Sequence, residues 1–374
     1  MDPWRTSGWV AAMLVILAWG FGTVGQDQQT PERKAQEDEV RMWDELEALS
    51  IKVKEALDKS EEALAHIERL RARGKLPPEV AVPAAQAAFL LGYPSEALAI
   101  VERVVREYPN EKYHSAYPLR IMGNFLIGRL ARYAGDPTRA EAAYREVLSQ
   151  LKKEPDIDPE NALVELCYLY LAEIEGHVRN RSEKAVALLE EVQRLPPPKD
   201  DPRMGPVGKE WAQHMKRTFS PSTTPPGTPT YFVLNQPEDI MAPMLYIITI
   251  GFGLFGDLGL EWRPDPLVFV LEKIIRSKVS PIDMSLAQGT LAFAYMKDKD
   301  YAKARRYAED LFKGDSFWAP VGGIIWACSL KEMGKPQEAE AVLQEVIRRF
   351  PANKEIVLRL QKEWAAESKQ KQKQ

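Results

Sequence analysis

Apolar residues near the carboxyl end of the chain follow the spacing of one helix face. After a turn at Gly334, apolar side chains recur every three or four residues, at Ala339, Val342, Leu343, Val346, Ile347 and Phe350. This spacing predicts an amphipathic helix that ends at Pro351. The run from Val321 to Met333 has apolar positions of its own, so the pattern predicts two helices joined by a tight turn. Neither helix can bury its apolar face alone, which is typical of a repeat unit.

The same pattern occurs at several places upstream. Each copy has a turn segment, then a small alanine, then an apolar stripe; the alanines are Ala97, Ala140, Ala185 and Ala304. The corresponding turns begin at Gly92, Gly135, Asn180 and Lys299. We therefore predict an array of stacked helix pairs.

The array resembles the tetratricopeptide repeat family. Two copies match its pattern best, one through Ala327, Gly334, Ala339, Leu343, Val346 and Pro351, the other through Gly128, Ala131, Gly135, Ala140, Tyr144 and Val147. The distance from Ala304 to Ala339 is close to the family period of about 34 residues. The resemblance implies an all-α fold, an α-solenoid of helix-turn-helix repeats. Such repeats are scaffolds whose ligand depends on a few surface residues.

Residues 1–25 differ from the rest of the chain. Trp9 to Trp19 is an uncharged run, and small residues follow it. This order is typical of an export signal cleaved after Gly25, whereas the stretch up to Val24 also approaches the length of a retained membrane anchor. Both alternatives predict an exported protein. If the segment is cleaved, the protein is expected to be periplasmic or otherwise extracytoplasmic. If it is not cleaved, the N-terminal helix is expected to contact the membrane and anchor the protein there.

Composition and periodicity divide the remainder of the chain. The predicted segments are a polar spacer at 26–38, an N-terminal helical hairpin at 39–75, the first half of the array at 76–198, a proline-rich loop or linker at 199–239, the second half at 240–353, a C-terminal capping helix at 354–366 and a disordered tail at 367–374. One long coiled-coil-like helix is the alternative for the hairpin. The uncharged stretch 240–256 is interpreted as a buried first helix, with a membrane span as its alternative. Asp158 is predicted to cap a helix whose first residue is Pro159.

Composition excludes several classes of function. The formal net charge is -4, with 50 Lys and Arg against 54 Asp and Glu, and no segment forms a basic stripe, so we expect no nucleic-acid partner. Cys167 and Cys328 are too few for a disulfide framework and are expected to be small buried hydrophobes. The four histidines lack partners at ligand spacing, and no phosphate loop, nucleophile elbow or zinc-binding helix motif occurs. We therefore predict no catalytic residue, no cofactor and no metal, and a protein that is not an enzyme.

Aromatic and basic side chains on the predicted first helices form the candidate binding surface. The resemblance implies that first helices line the inner groove of the array, and aromatic and arginine side chains often anchor bound peptides. The candidate partner-binding residues are Phe125, Arg129, Arg132, Tyr133, Tyr170, His177, Phe293 and Lys297. The alternative for the apolar ones is a place in the core between repeats. The lysine and asparagine set that clamps a carboxylate in chaperone-binding relatives is not found, so that ligand is not implied.

Together these patterns predict a non-catalytic protein–protein interaction scaffold of the cell envelope. It would bind a protein or peptide partner in the concave groove of the repeats. The alternative is an accessory subunit of an envelope enzyme or of a transport or assembly complex, in which the chemistry resides in the partner.

Overall fold

The structure, a computed structural model, describes most of the chain from Gly92 to Lys371. The described residues are 92–371 except 113–116, 159–160, 197–206, 221–230, 235, 237–238, 241–242 and 244–263, with the single positions 78, 81, 85, 88 and 89. The predictions for 1–25, 26–38 and 39–75 lie outside these residues, as does almost all of 240–256.

Within this part of the chain the regular elements are helical, and it contains no strand. The α-helices are α1 (Pro94–Glu107), α2 (Leu119–Tyr133), α3 (Pro137–Lys153), α4 (Ala162–Glu173), α5 (Ser182–Arg194), α6 (Val207–Phe219), α7 (Pro264–Ser277), α8 (Pro281–Lys297), α9 (Tyr301–Lys313), α10 (Ala319–Glu332), α11 (Pro336–Arg349) and α12 (Lys354–Lys371). A π-helical turn, Ile174–Val178, extends α4, and a 3-10 turn, Pro351–Asn353, joins α11 to α12.

Successive helices pack against one another along the chain. The closest pairs include α1 with α2, α2 with α3, α4 with α5, α8 with α9, α9 with α10 and α10 with α11. This order of contacts is that of an α-solenoid, in which each helix pair buries its apolar face against its neighbours. The all-helical repeat fold is therefore confirmed.

The turn between the two helices of each predicted copy has the same backbone conformation. Five residues before each of the alanines Ala97, Ala140, Ala185, Ala304 and Ala339, the chain takes a positive φ, at Gly92, Gly135, Asn180, Lys299 and Gly334. Glycine adopts this conformation without steric cost, and asparagine tolerates it better than most residues. All five alanines are fully buried, so the turn delivers a small side chain to the point where two helices meet.

Glycines on the first helices also allow neighbouring helices to approach closely. A Cβ on Gly128 of α2 would lie 2.5 Å from Cε1 of Tyr144 on α3, and a Cβ on Gly322 of α10 would lie 2.8 Å from backbone atoms of α9. The absence of a side chain at Gly128 leaves room for the Tyr144 ring, and the absence of one at Gly322 lets α10 approach the backbone of α9. The small residue predicted at Gly128 is thus required by helix packing.

Two local predictions differ from the structure. Helix α4 begins at Ala162 rather than Pro159, although the side chain of Asp158 still accepts hydrogen bonds from the amides of Leu163 and Val164 at 3.0 and 3.1 Å. Within the proline-rich segment 199–239, helix α6 covers the stretch from Gly208 to Phe219 for which the sequence favours one helix. Helix α12 continues to Lys371, where a disordered tail was expected from 367, and Glu367 pairs with Lys331 of α10 at 2.5 Å.

Candidate functional site

Five of the predicted binding residues converge on one site between α2 and α4. Phe125, Arg129, Arg132 and Tyr133 recur at intervals of three and four residues on one face of α2, and Tyr170 of α4 lies opposite them. Phe125 and Tyr170 are fully buried, and Arg129 and Arg132 are 4% and 7% exposed. Two arginines this far from water require anionic partners.

The partner of Arg129 comes from the second half of the array. Asp283, in the first turn of α8, accepts a hydrogen bond from Nη2 of Arg129 at 3.0 Å and from the hydroxyl of Tyr133 at 3.1 Å. The Tyr170 hydroxyl also donates to Asp283. We call Arg129, Tyr133 and Tyr170 the Asp283 pocket. Each of its members uses a polar group to hold one carboxylate.

A second ion pair lies beside this pocket. Arg132 pairs with Glu173 of α4, and both side chains are almost fully buried. Glu173 also accepts hydrogen bonds from the Ser280 hydroxyl at 3.1 Å and from the amide of Ile282 at 3.1 Å. The turn that starts α8 is therefore held by side chains of both α2 and α4.

The start of α8 is preorganised for this contact. The Ser280 side chain caps the helix by accepting from the amide of Asp283 at 3.1 Å, and Pro281 occupies the first helical position. The carboxylate of Asp283 is then available to α2 and α4. The residues that cap α8 thus also place the Asp283 carboxylate against α2 and α4.

The electrostatics of the site follow from burial and pairing. Burial is the largest single influence and lowers the pKa of Arg129 and of Arg132. The carboxylates of Asp283 and Glu173 and the neighbouring tyrosines together raise both pKa values above the ordinary one, so both guanidinium groups stay charged. Burial raises the pKa of Glu173 above its ordinary value, although Arg132 opposes the shift. Burial and Asp283 also raise the pKa of Tyr133 and Tyr170, so both hydroxyls remain protonated donors.

Aromatic rings support the pocket from behind. Tyr144 of α3 stacks on Tyr170 with ring centroids 5.4 Å apart, and Phe125 contacts both rings. The guanidinium of Arg132 lies 4.8 Å from the centroid of the Tyr170 ring. Two polar atoms of this cluster, Nη1 of Arg132 and the hydroxyl of Tyr144, are buried without a hydrogen-bond partner among the described residues.

The other three predicted binding residues lie away from the pocket. His177 is exposed in the π-helical turn and contacts the ring of Phe219 at 4.8 Å. Phe293 is 4% exposed and belongs to the core, whereas Lys297, one turn further along α8, is exposed with its ammonium 5.5 Å from the Phe293 ring. The partner-binding role of all eight residues stays a prediction.

A second internal contact was not predicted. The segment Tyr231–Leu234 is held by Asn353, whose side chain accepts from the amide of Leu234 at 2.7 Å and donates to the carbonyl of Phe232 at 3.1 Å. The amide of Phe232 donates to the carbonyl of Phe317 at 2.9 Å. The rings of Tyr231 and Phe232 also contact Phe350 and Trp318, so this irregular segment is bound to the C-terminal repeats through both its backbone and its side chains.

Sequence reasoning identified the basic and aromatic half of the first site but not its acidic half. Asp283, Glu173 and Asn353 were not singled out. The capping sequence Ser280-Pro281-Ile282-Asp283 marks the start of α8, and that signal was available. Nothing in it shows that the carboxylate meets an arginine 154 residues away in the sequence.

The described residues do not point to a metal centre or a membrane span. Among them, no group of three or more His, Cys, Asp or Glu side chains is placed to hold a metal ion. None of their helices is both long enough and apolar enough to cross a membrane.

Comparison with known proteins adds one finding. Residues 325–353, from the middle of α10 to the turn after α11, match the family model described as tetratricopeptide repeat. No curated protein matches the chain.

Proposed function

We propose that this chain, whose residues 325–353 match the tetratricopeptide repeat family, is a non-catalytic scaffold that binds a protein or peptide partner along the groove lined by its first helices. The observation that carries the proposal is the repeat itself: residues 325–353 match the family, and the same turn and buried alanine recur upstream. Tetratricopeptide repeats are in general protein-interaction modules.

We also propose the location expected from residues 1–25, the outer side of a membrane or its surface. That proposal rests on the uncharged run from Trp9 to Trp19 and the small residues after it. An accessory role in an envelope enzyme or in a transport or assembly complex is compatible with the same scaffold, since the chemistry would then reside in the partner.

Lys297 gives the scaffold proposal an accessible test position. It is an exposed, predicted groove residue at the end of a first helix, whereas Arg348 is exposed on the second helix α11 and pairs with Glu345 of its own helix at 2.5 Å. Because both side chains are exposed, we expect either charge reversal to change the surface and not the buried packing. The two variants therefore differ in the face that they alter.

The experiment is quantitative affinity capture with the full chain, Lys297→Glu and Arg348→Glu from membrane and soluble extracts. We expect the full chain and Arg348→Glu to retain one defined protein that Lys297→Glu does not retain. The complex is then reconstituted from the two purified proteins. Equal retention by both variants would contradict binding along the first helices. Failure of every candidate to bind the purified full chain would overturn the scaffold proposal.

A further inference from the structure

The turn that starts α8 occupies the Asp283 pocket much as a bound ligand would. Asp283 contributes its carboxylate to Arg129, Tyr133 and Tyr170, while Ser280 and the amide of Ile282 contact Glu173. All of these contacts join residues more than 100 positions apart in the sequence. The pocket is thus built by α2 and α4, and its occupant comes from a separate part of the chain.

The charge balance of the pocket defines what it accepts. In the pocket and the ion pair beside it, α2 and α4 supply two guanidinium groups, Arg129 and Arg132, and one carboxylate, Glu173. Asp283 supplies the carboxylate that pairs with Arg129 at 3.0 Å. Because removing one partner of a buried ion pair is strongly unfavourable, an occupant that replaces the α8 turn should bring a carboxylate of its own.

The present occupant does not use every polar group of the cluster. Nη1 of Arg132 and the hydroxyl of Tyr144 have no hydrogen-bond partner among the described residues, and both residues are more than nine-tenths buried. Buried polar groups are nearly always paired in native proteins. These two groups therefore show that the α8 turn leaves the polar cluster incompletely hydrogen-bonded.

We propose that the Asp283 pocket is a recognition site for the acidic first turn of a helix in a partner protein, and that the α8 turn occupies this site in the free chain. The partner presents a carboxylate near the start of a helix, as Asp283 does after the Ser280 cap, and displaces the α8 turn when it binds. This inference rests on the proposed scaffold function and specifies the chemistry of its partner.

The test uses the chain's own turn as a probe for the emptied pocket. A fluorescent peptide with the sequence of residues 278–290 is titrated with the full chain, with Asp283→Ala and with Asp300→Ala, and binding is followed by fluorescence anisotropy. Asp300 is a matched control, because its side chain also caps the start of a helix, accepting from the amide of Lys303 at 3.2 Å, but on the exposed surface. Circular dichroism verifies that each variant is folded.

We expect the peptide to bind Asp283→Ala at least about tenfold more tightly than the unaltered chain or Asp300→Ala, because the tethered α8 turn otherwise competes at high effective concentration. The same peptide with Asp283→Asn should not bind. If Asp283→Ala does not fold, the full chain with Asp283→Asn, which keeps the side-chain volume, is used under the same criteria.

Two outcomes would overturn the proposal: a folded variant that binds the peptide no better than the unaltered chain, or equal binding of the peptide with and without its carboxylate. Either result would make the α8 contact a purely structural joint. The scaffold proposal would remain open, because the Lys297 experiment involves no residue of the pocket.

Discussion

Gly322 lies where α10 meets the backbone of α9, and replacing it with alanine should destabilise the array. The new Cβ would lie 2.8 Å from the carbonyl oxygen of Ala308 and 2.8 Å from the amide nitrogen of Phe312. Non-bonded heavy atoms prefer about 3.5 Å or more, so the two helices would have to separate by roughly 0.7 Å. Backbone atoms of a helix cannot rotate away as a side chain can.

The expected size of the effect follows from two opposing contributions. Overpacking of a close contact costs about 1–3 kcal/mol, and the upper part of that range applies here because backbone atoms are involved. Alanine gains about 1 kcal/mol over glycine inside a helix. We therefore expect Gly322→Ala to lower the free energy of unfolding by about 1–2 kcal/mol, measured by urea denaturation with circular dichroism.

Gly314, at the end of α9, provides the matched control. Its φ is -70°, and a Cβ there would approach no closer than 3.4 Å to a neighbouring atom. Gly314→Ala should be neutral or should stabilise by up to about 1 kcal/mol through the unfolded state. If Gly322→Ala is as stable as Gly314→Ala, the close approach of α9 and α10 described above is incorrect.

Two further predictions concern buried polar groups. Asn353→Ala leaves the buried amide of Leu234 and carbonyl of Phe232 without their partner, so the free energy of unfolding should fall by about 2–4 kcal/mol and hydrogen exchange at Leu234 should accelerate; unaltered exchange would argue against the contact. Burial raises the pKa of Glu165 to about 8, so the stability that its protonated form contributes is present below its unfolded pKa of about 4.3 and is lost as the pH rises towards 8. Over that interval the unaltered chain should lose up to about 5 kcal/mol more stability than Glu165→Gln, and parallel pH profiles would show that the pKa is not raised.

The sequence predicted what depends on neighbours along the chain. Gly135 and Ala140 stand at fixed positions relative to the turn, so periodicity alone located α3 and its contact with α2. The spacing of Arg129 and Arg132 likewise placed them on one face of α2. These relations depend on helix geometry, which a local pattern encodes.

The partners of those side chains could not be obtained in the same way. Which carboxylate reaches Arg129 depends on the path of the chain between α4 and α8, and no periodic pattern describes that path. The same holds for Asn353, whose role depends on a segment 119 positions earlier. Irregular segments with many prolines are set by the surfaces they cross and not by their own propensities.

The clamp that Asn353 forms on Tyr231–Leu234 also affects how the protein folds and resists force. In a simple array every contact is between neighbours, so the repeats can fold or unravel one after another. Here the hydrogen bonds of Asn353 join residues 119 and 121 positions apart, and a large loop has to close before they form. Such closure slows folding and couples distant repeats. A chain stretched from its ends should therefore resist extension of residues 232–353 until these hydrogen bonds break.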